Sequence, residues 1–93
     1  MKLLMCLECN DVFNIIHIER SCYCGESKGK YIDKANAIIE GNCMPLGLAN
    51  SSLLKAVGIQ LLENKYKSDE TCCKGVEFNA FTIPDWAKTI KRR

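Results

Sequence analysis

The sequence lacks the features that several large classes of protein require. It has no apolar run near the roughly 20 residues of a membrane-spanning helix, so we expect no membrane segment. Only three apolar residues separate Lys2 from Cys6, far fewer than a signal peptide needs, and we therefore expect a cytoplasmic chain. No Gly-rich phosphate loop is visible.

Catalytic residue sets are also scarce. The sequence contains one histidine, His17, and a nucleophilic cysteine or serine needs a partnered base. Neither a catalytic triad nor a paired-carboxylate site can be assembled from the remaining residues. The sequence therefore predicts a protein that is not an enzyme.

Cysteine, by contrast, is abundant. The chain has 93 residues, which predicts one domain over residues 1–93, and seven cysteines. A chain this short gains from a covalent or metal staple. Because seven is an odd number and a reducing cytosol disfavours disulfides, we expect metal binding rather than a disulfide framework.

Four of the cysteines form two close pairs. Cys6 and Cys9 are separated by two residues, and Cys22 and Cys24 by one. Two such pairs, joined by a segment long enough to run out and return, are typical of a tetrahedral Zn²⁺ site with four thiolates. Iron, a pair of disulfides, and a site in which His17 replaces one cysteine are the alternatives. A complete four-sulfur shell has no open position and predicts a structural metal.

The charge is modest and uneven. The formal net charge is +2, and four thiolates around a divalent zinc would bring the folded chain close to neutral. Four cations end the sequence: Lys88, Lys91, Arg92 and Arg93. They could contact phosphates or an acidic partner, or they could stabilise the C-terminus of a helix, where the dipole favours cations.

The hydrophobic patterns predict an α+β fold: a small antiparallel sheet with a zinc-ribbon end, one main packed helix and a short C-terminal helix. Alternating or β-branched segments predict strands over residues 2–7, 12–19, 30–33, 37–40 and 75–83. Residues 33–36 predict a hairpin turn, and residues 43–50 a loop.

Two segments have helical spacing. The main helix is predicted over residues 51–63, where apolar residues recur every four positions, with Gly58 allowing close approach to the sheet. The C-terminal helix is predicted to start at Thr82, with Asp85 completing its cap, and to dock through Trp86 and Ile90.

Together with residues 27–31 and 45–51, the two cysteine pairs give the chain a family likeness. Over roughly residues 1–60 it resembles the zinc-ribbon class, and in particular a group of small, uncharacterised bacterial and phage zinc-ribbon proteins. The resemblance implies a metal-stabilised module in a bacterial or phage cytosol, and it implies no reaction.

Three functions remain open. The first is a binding module for a protein partner, through residues 44–49 or the surroundings of Trp86. The second is binding of a small anionic ligand such as a nucleotide, at a helix N-terminus supported by lysines. Its candidate residues are Lys28, Lys30, Tyr31, Asn50, Ser51 and Ser52. The third is a nucleic-acid-binding zinc ribbon. The remaining thiols, of Cys43, Cys72 and Cys73, are expected to be inert.

Overall fold

The computed structural model describes residues 1–66 and 75–93. In these ranges the chain forms one helix and eight short strands. Their bounds are β1 Lys2–Cys6, β2 Val12–Asn14, β3 Arg20–Ser21, β4 Lys28–Tyr31, β5 Ala37–Glu40, β6 Cys43–Leu48, α1 Asn50–Tyr66, β7 Ala80–Thr82 and β8 Ile90–Arg92. The α+β class is thus confirmed.

The strands form two sheets, where the sequence predicted one. The first sheet has the order β2-β1-β6-β7 and is antiparallel throughout. The second has the order β3-β4-β5-β8, and its last pair, β5 with β8, is parallel. Most strands have two to four residues, and so each carries too little alternation to identify its partner from the sequence.

The core lies between the inner faces of the two sheets. Leu4 in β1 and Ile39 in β5 are completely buried. Gly29 in β4 lies so close to the first sheet that an added Cβ would be 3.3 Å from the Leu4 side chain. Burial of this alternating set of apolar side chains is the main force that holds such a small domain together.

Strand β5 and the turn before it are confirmed. Strand β5 has the predicted bounds, whereas β4 begins two residues earlier than the predicted strand over residues 30–33 and ends at Tyr31. The turn between them is held by Asp33, whose carboxylate accepts hydrogen bonds from the N–H groups of Ala35 and Asn36 at 2.9 and 2.8 Å. The predicted strand over residues 12–19 is shorter and ends at Asn14.

The predicted C-terminal helix is wrong. Residues 80–82 and 90–92 are strands, and Trp86, 84% exposed, lies in the turn region between them. The Ala37 N–H donates to the Thr89 carbonyl, and the Arg93 N–H donates to the Ile39 carbonyl, each at 2.8 Å. An isolated helix of two or three turns is marginal in water, whereas this segment pairs with the exposed edge of β5.

Residues 43–50 and the main helix also differ from expectation. Most of the predicted loop is strand β6, and the helix continues to Tyr66. Ala56 is the only buried side chain of α1, and nothing lies within 4 Å of a Cβ added at Gly58. The helix therefore does not press Gly58 against a sheet. None of the helical segments described has the length and hydropathy required to cross a bilayer.

Candidate metal centre

The four paired cysteines lie at the turns of two hairpins. Cys6 and Cys9 lie where β1 turns into β2, and Cys22 and Cys24 where β3 turns into β4. Both turns contain a residue with positive φ, Asn10 at 62° and Gly25 at 83°. Asparagine and glycine tolerate this conformation best, which explains why the chain can reverse tightly just after each pair. Two hairpins that face each other with their cysteines are compatible with a zinc-ribbon end.

The four sulfur atoms form one cluster. All of them lie within 4.8 Å of one another. Two of the separations are 3.4 Å, between Cys22 and Cys24, and 3.7 Å, between Cys6 and Cys24. A tetrahedron with metal–sulfur bonds of about 2.3 Å has edges of about 3.8 Å. The cluster therefore has the donor type, number and spacing that a tetrahedral metal ion requires.

Backbone N–H groups point at the sulfurs. The Glu8 N–H donates to Cys6 Sγ, and the Ser27 N–H donates to Cys22 Sγ, both at 3.3 Å. In both cases the donor residue follows the cysteine in the sequence and lies in the same turn. Such bonds stabilise the thiolate, which is the form that binds metal.

The thiols of the cluster do not ionise alike. Burial of the Cys22 thiol opposes ionisation, but the Ser27 N–H and the neighbouring sulfurs together lower its pKa to about 6. The Glu26 N–H favours the Cys24 thiolate, yet the sulfur of Cys22 beside it raises its pKa to about 12. Adjacent thiolates repel each other, so the cluster retains a proton that a bound cation would displace.

Residues outside the pairs complete the surroundings of the site. The Ser27 side chain is fully buried, and its hydroxyl donates to the Asn42 carbonyl at 3.3 Å. The same Asn42 carbonyl accepts the Leu7 N–H at 2.9 Å. The β5–β6 turn thus supports both cysteine hairpins. The sequence showed Asn42 only as part of a turn, with no signal of this role.

A carboxylate ties the two cysteine turns together. Asp11 follows the first turn, and its Oδ2 accepts the N–H of Tyr23, which lies inside the second turn, at 2.9 Å. This bond links the backbone of the second cysteine turn to a side chain at the end of the first. Nothing in the spacing of the sequence identified Asp11.

The other candidate ligands are separate from the cluster. Within the described residues, the side chains that could share one metal ion are the four paired cysteines, and His17 is exposed beside the ring of Tyr31 at 6.0 Å. Cys43 is buried and its Sγ donates to the Gly41 carbonyl at 3.4 Å, while burial raises its pKa. The prediction that Cys72 and Cys73 are inert lies outside the described residues.

The residues predicted for an anionic ligand fall into separate groups. Lys28 and Lys30 alternate along β4 with Gly29, which faces the core, so both lysines lie on the outer face. The hydroxyl of Tyr31 instead accepts the Lys2 N–H at 3.2 Å on the inner side.

Two of the predicted ligand-binding residues at the start of α1 already form hydrogen bonds with other parts of the chain. The Asn50 side chain accepts the N-terminal ammonium at 3.3 Å, and the Ser52 hydroxyl accepts the Asn79 N–H at 2.9 Å. Ser51 is exposed. That one anionic ligand contacts both the β4 residues and the residues at the start of α1 stays a prediction.

Two of the four cations at the end of the sequence, Arg92 and Arg93, make contacts within the fold. Arg92 donates to the Cys43 carbonyl at 2.8 Å and to the Gly41 carbonyl at 3.3 Å. Arg93 pairs with Glu19 and, at 3.1 Å, with Glu40. Because residues 90–92 form strand β8, these cations do not stabilise the C-terminus of a helix, as the sequence had suggested.

Comparison of the chain with protein-family models, with curated proteins and with solved structures finds no match. The class of protein is therefore defined by the site itself, as a small α+β chain with a four-cysteine cluster capable of holding a metal ion. Membership of the bacterial and phage zinc-ribbon group stays a prediction.

Proposed function

We propose that this chain is a zinc-stabilised binding module without enzymatic activity, which acts in a bacterial or phage-related cytosol through a protein partner. Zinc suits the four-sulfur cluster because Zn²⁺ accepts tetrahedral thiolate sites without a redox change. Four sulfurs fill that shell, and a filled shell supports folding rather than catalysis. The surface that binds the protein partner therefore lies outside the metal site.

The observation that carries the proposal is the orientation of α1. The half-buried Ser52 and Gln60 and the buried Ala56 lie four residues apart, so they define the face turned toward the rest of the chain. The apolar residues Leu54, Val57 and Leu61 lie on another face. They are 73%, 48% and 63% exposed.

We call Leu54, Val57 and Leu61 the apolar row. Its spacing of three and four residues is the spacing that side chains need to project from one side of a helix. Exposed apolar side chains grouped on one side of a helix favour an interaction site. A helix that places such a row into a hydrophobic groove is a common mode of peptide recognition, and α1 has 17 residues.

The test compares the chain with two variants. Leu54→Gln with Leu61→Gln removes the two most exposed members of the row without changing charge, and Asn64→Gln is the uncharged control outside it. The tagged proteins are incubated with bacterial lysate, bound proteins are identified by quantitative mass spectrometry, and the candidate partner is then purified and titrated.

We expect one partner to bind the unaltered chain and the control alike, and the double variant at least about tenfold more weakly, as removal of central apolar contacts predicts. Equal binding by all three chains would contradict a role for the row. Sedimentation of the chain alone shows whether a second copy occupies the row instead.

A second candidate, nucleic-acid binding, is favoured by one feature of the outer face of the second sheet. Lys30 and Lys91 flank Ile38 in register across β4, β5 and β8, and Lys28 lies two residues along β4. Such cations could contact phosphates. Binding should then weaken steeply with salt, and Lys91→Ala should reduce the slope of log K against log salt by about one.

A further inference from the structure

Cys6 and Cys43 are direct partners across two antiparallel strands. Cys6 ends β1, Cys43 begins β6, and the register pairs their Cα atoms. Cys6 is completely buried and Cys43 is 3% exposed. Directly opposite residues of an antiparallel pair project to the same face, so both thiols enter the same core beside the four-cysteine cluster.

The hydrogen-bond pattern identifies this pair as a non-hydrogen-bonded one. The Leu7 N–H donates to the Asn42 carbonyl at 2.9 Å, and the Leu48 N–H to the Met1 carbonyl at 3.1 Å. The β1 residues with odd numbers therefore bond to β6. The Cys6 N–H points the other way and donates to the Asp11 carbonyl at 2.9 Å.

Pro45 supports the same assignment. It lies opposite Leu4, two residues from the Cys6 pair, and has no N–H to donate. In non-hydrogen-bonded pairs the Cα atoms are about 4.5 Å apart, which is within the range of about 4.4–6.8 Å that a disulfide spans. The register therefore places the backbone of Cys6 and Cys43 at the spacing that a disulfide requires.

We propose that Cys6 and Cys43 form an oxidative modification site, in which a cross-strand disulfide replaces the metal when the cluster is emptied under oxidising conditions. The proposal rests on the proposed metal site, because Cys6 serves both. In the reduced chain Cys6 is one of four donors. In the oxidised chain three thiols remain, and the four-sulfur shell cannot form until the disulfide is reduced.

The chemistry uses a peroxide as the two-electron oxidant. Cys24 is the exposed sulfur of the cluster. Its thiol loses its proton as the sulfur attacks the peroxide oxygen, the O–O bond breaks, and that proton joins the departing hydroxide, so a sulfenic acid and one water result. The Cys6 thiolate, 3.7 Å away, attacks the Cys24 sulfur, and hydroxide leaves and is protonated to the second water. Cys43 then attacks the Cys6 sulfur, and Cys24 departs as a thiolate. Overall, two thiols and one hydrogen peroxide give one disulfide and two waters.

This end point is favoured over disulfides within the cluster. Cys22 and Cys24 are separated by one residue, and a bridge between them would close a very short loop on a tight turn. The Cys6–Cys43 bridge closes a longer loop and therefore constrains the unfolded chain more strongly. Its geometry is also provided by the sheet, which orders both strands.

The test identifies the disulfide by peptide mapping. The chain carrying Cys72→Ser and Cys73→Ser is treated with hydrogen peroxide as purified, so that the sheet is intact when oxidation begins. It is then blocked with N-ethylmaleimide and digested with trypsin without reduction. Cleavage after lysine and arginine places Cys6 and Cys9 in residues 3–20, Cys22 and Cys24 in residues 21–28, and Cys43 in residues 35–55.

We expect the peptide of residues 3–20 joined to that of residues 35–55, with fragmentation assigning the bond to Cys6. Zinc uptake should be lost with the cross-link and return after reduction. Cys43→Ala and Cys43→Ser should each abolish the cross-link, and the reduced chains should keep their zinc. If Cys43→Ala fails to fold, Cys43→Ser decides the assignment, because its hydroxyl can replace the thiol as the donor to the Gly41 carbonyl.

Cross-links found only between residues 3–20 and 21–28 would overturn the inference. Metal content of the reduced chain is measured separately. A chain that holds zinc but forms no Cys6–Cys43 bond contradicts this inference alone, whereas a chain that forms the bond but holds no metal contradicts the metal site and leaves the pairing intact.

Discussion

Gly41 lies directly against the backbone of Glu26. A Cβ added to Gly41 would be 2.0 Å from the Glu26 carbonyl oxygen, and the Gly41 φ of 99° is itself unfavourable for a side chain. Glu26 follows the second cysteine pair, and Gly41 lies in the turn that supports both pairs. The fit of the metal centre against the rest of the fold therefore depends on the absence of a side chain at this position.

Gly41→Ala should destabilise the chain by at least about 2 kcal/mol, because it adds backbone strain to a clash with fixed main-chain atoms. Chemical denaturation measures the change. Gly25→Ala is the matched control: its φ is 83°, but nothing lies within 4 Å of the added Cβ. We expect a loss of about 1 kcal/mol there. Equal losses at both positions would show that the contact with Glu26 has no effect.

Metal removal should unfold much of the chain. We expect one zinc per chain in protein purified without added metal, and a joint loss of metal and structure in Cys9→Ser or after chelation, because binding is coupled to folding. Metal analysis and circular dichroism measure the two effects. Cys73→Ser, which removes a thiol outside the two pairs, should retain the metal. Iron in place of zinc, or an unchanged Cys9→Ser chain, would contradict the proposed centre.

Arg92 should contribute to stability rather than to nucleic-acid binding. Its guanidinium bonds to the carbonyls of Gly41 and Cys43, so Arg92→Ala should cost about 1–3 kcal/mol, as expected for hydrogen bonds to a charged group. Lys91→Ala, on the outer face, should change stability by less than about 0.5 kcal/mol. Thermal denaturation of both variants separates the roles, and a larger effect at Lys91 would argue against this account.

Gly58→Ala should stabilise the chain. Gly58 is exposed in the middle of α1, and no atom lies within 4 Å of an added Cβ. Alanine restricts the unfolded backbone and favours the helix, which is worth up to about 1 kcal/mol. The expected rise in Tm is about 4–8 °C per kcal/mol for a domain of this size. A fall in Tm would mean that Gly58 is in close contact with another surface.

The sequence by itself determined the features that depend on neighbouring residues. The cysteine pairs predicted the cluster because thiolate spacing on a tight turn is a local property. Strand β5 and the turn held by Asp33 were predicted for the same reason, as was the presence of α1. Roles that depend on distant segments, such as those of Asp11 and Asn42, left no pattern in the sequence.

Only the tertiary structure decided which elements meet. The residues around Thr82 have the composition of a helix cap, yet the end of the chain pairs with β5. A short isolated helix is marginal in water, whereas pairing also satisfies the open edge of β5. The apolar spacing of α1 predicted a helix, but it could not show that Leu54 and Leu61 would face solvent. The pairing of Cys6 with Cys43 likewise depends on the register of β1 against β6, which the packing of the core fixes across 37 positions of sequence.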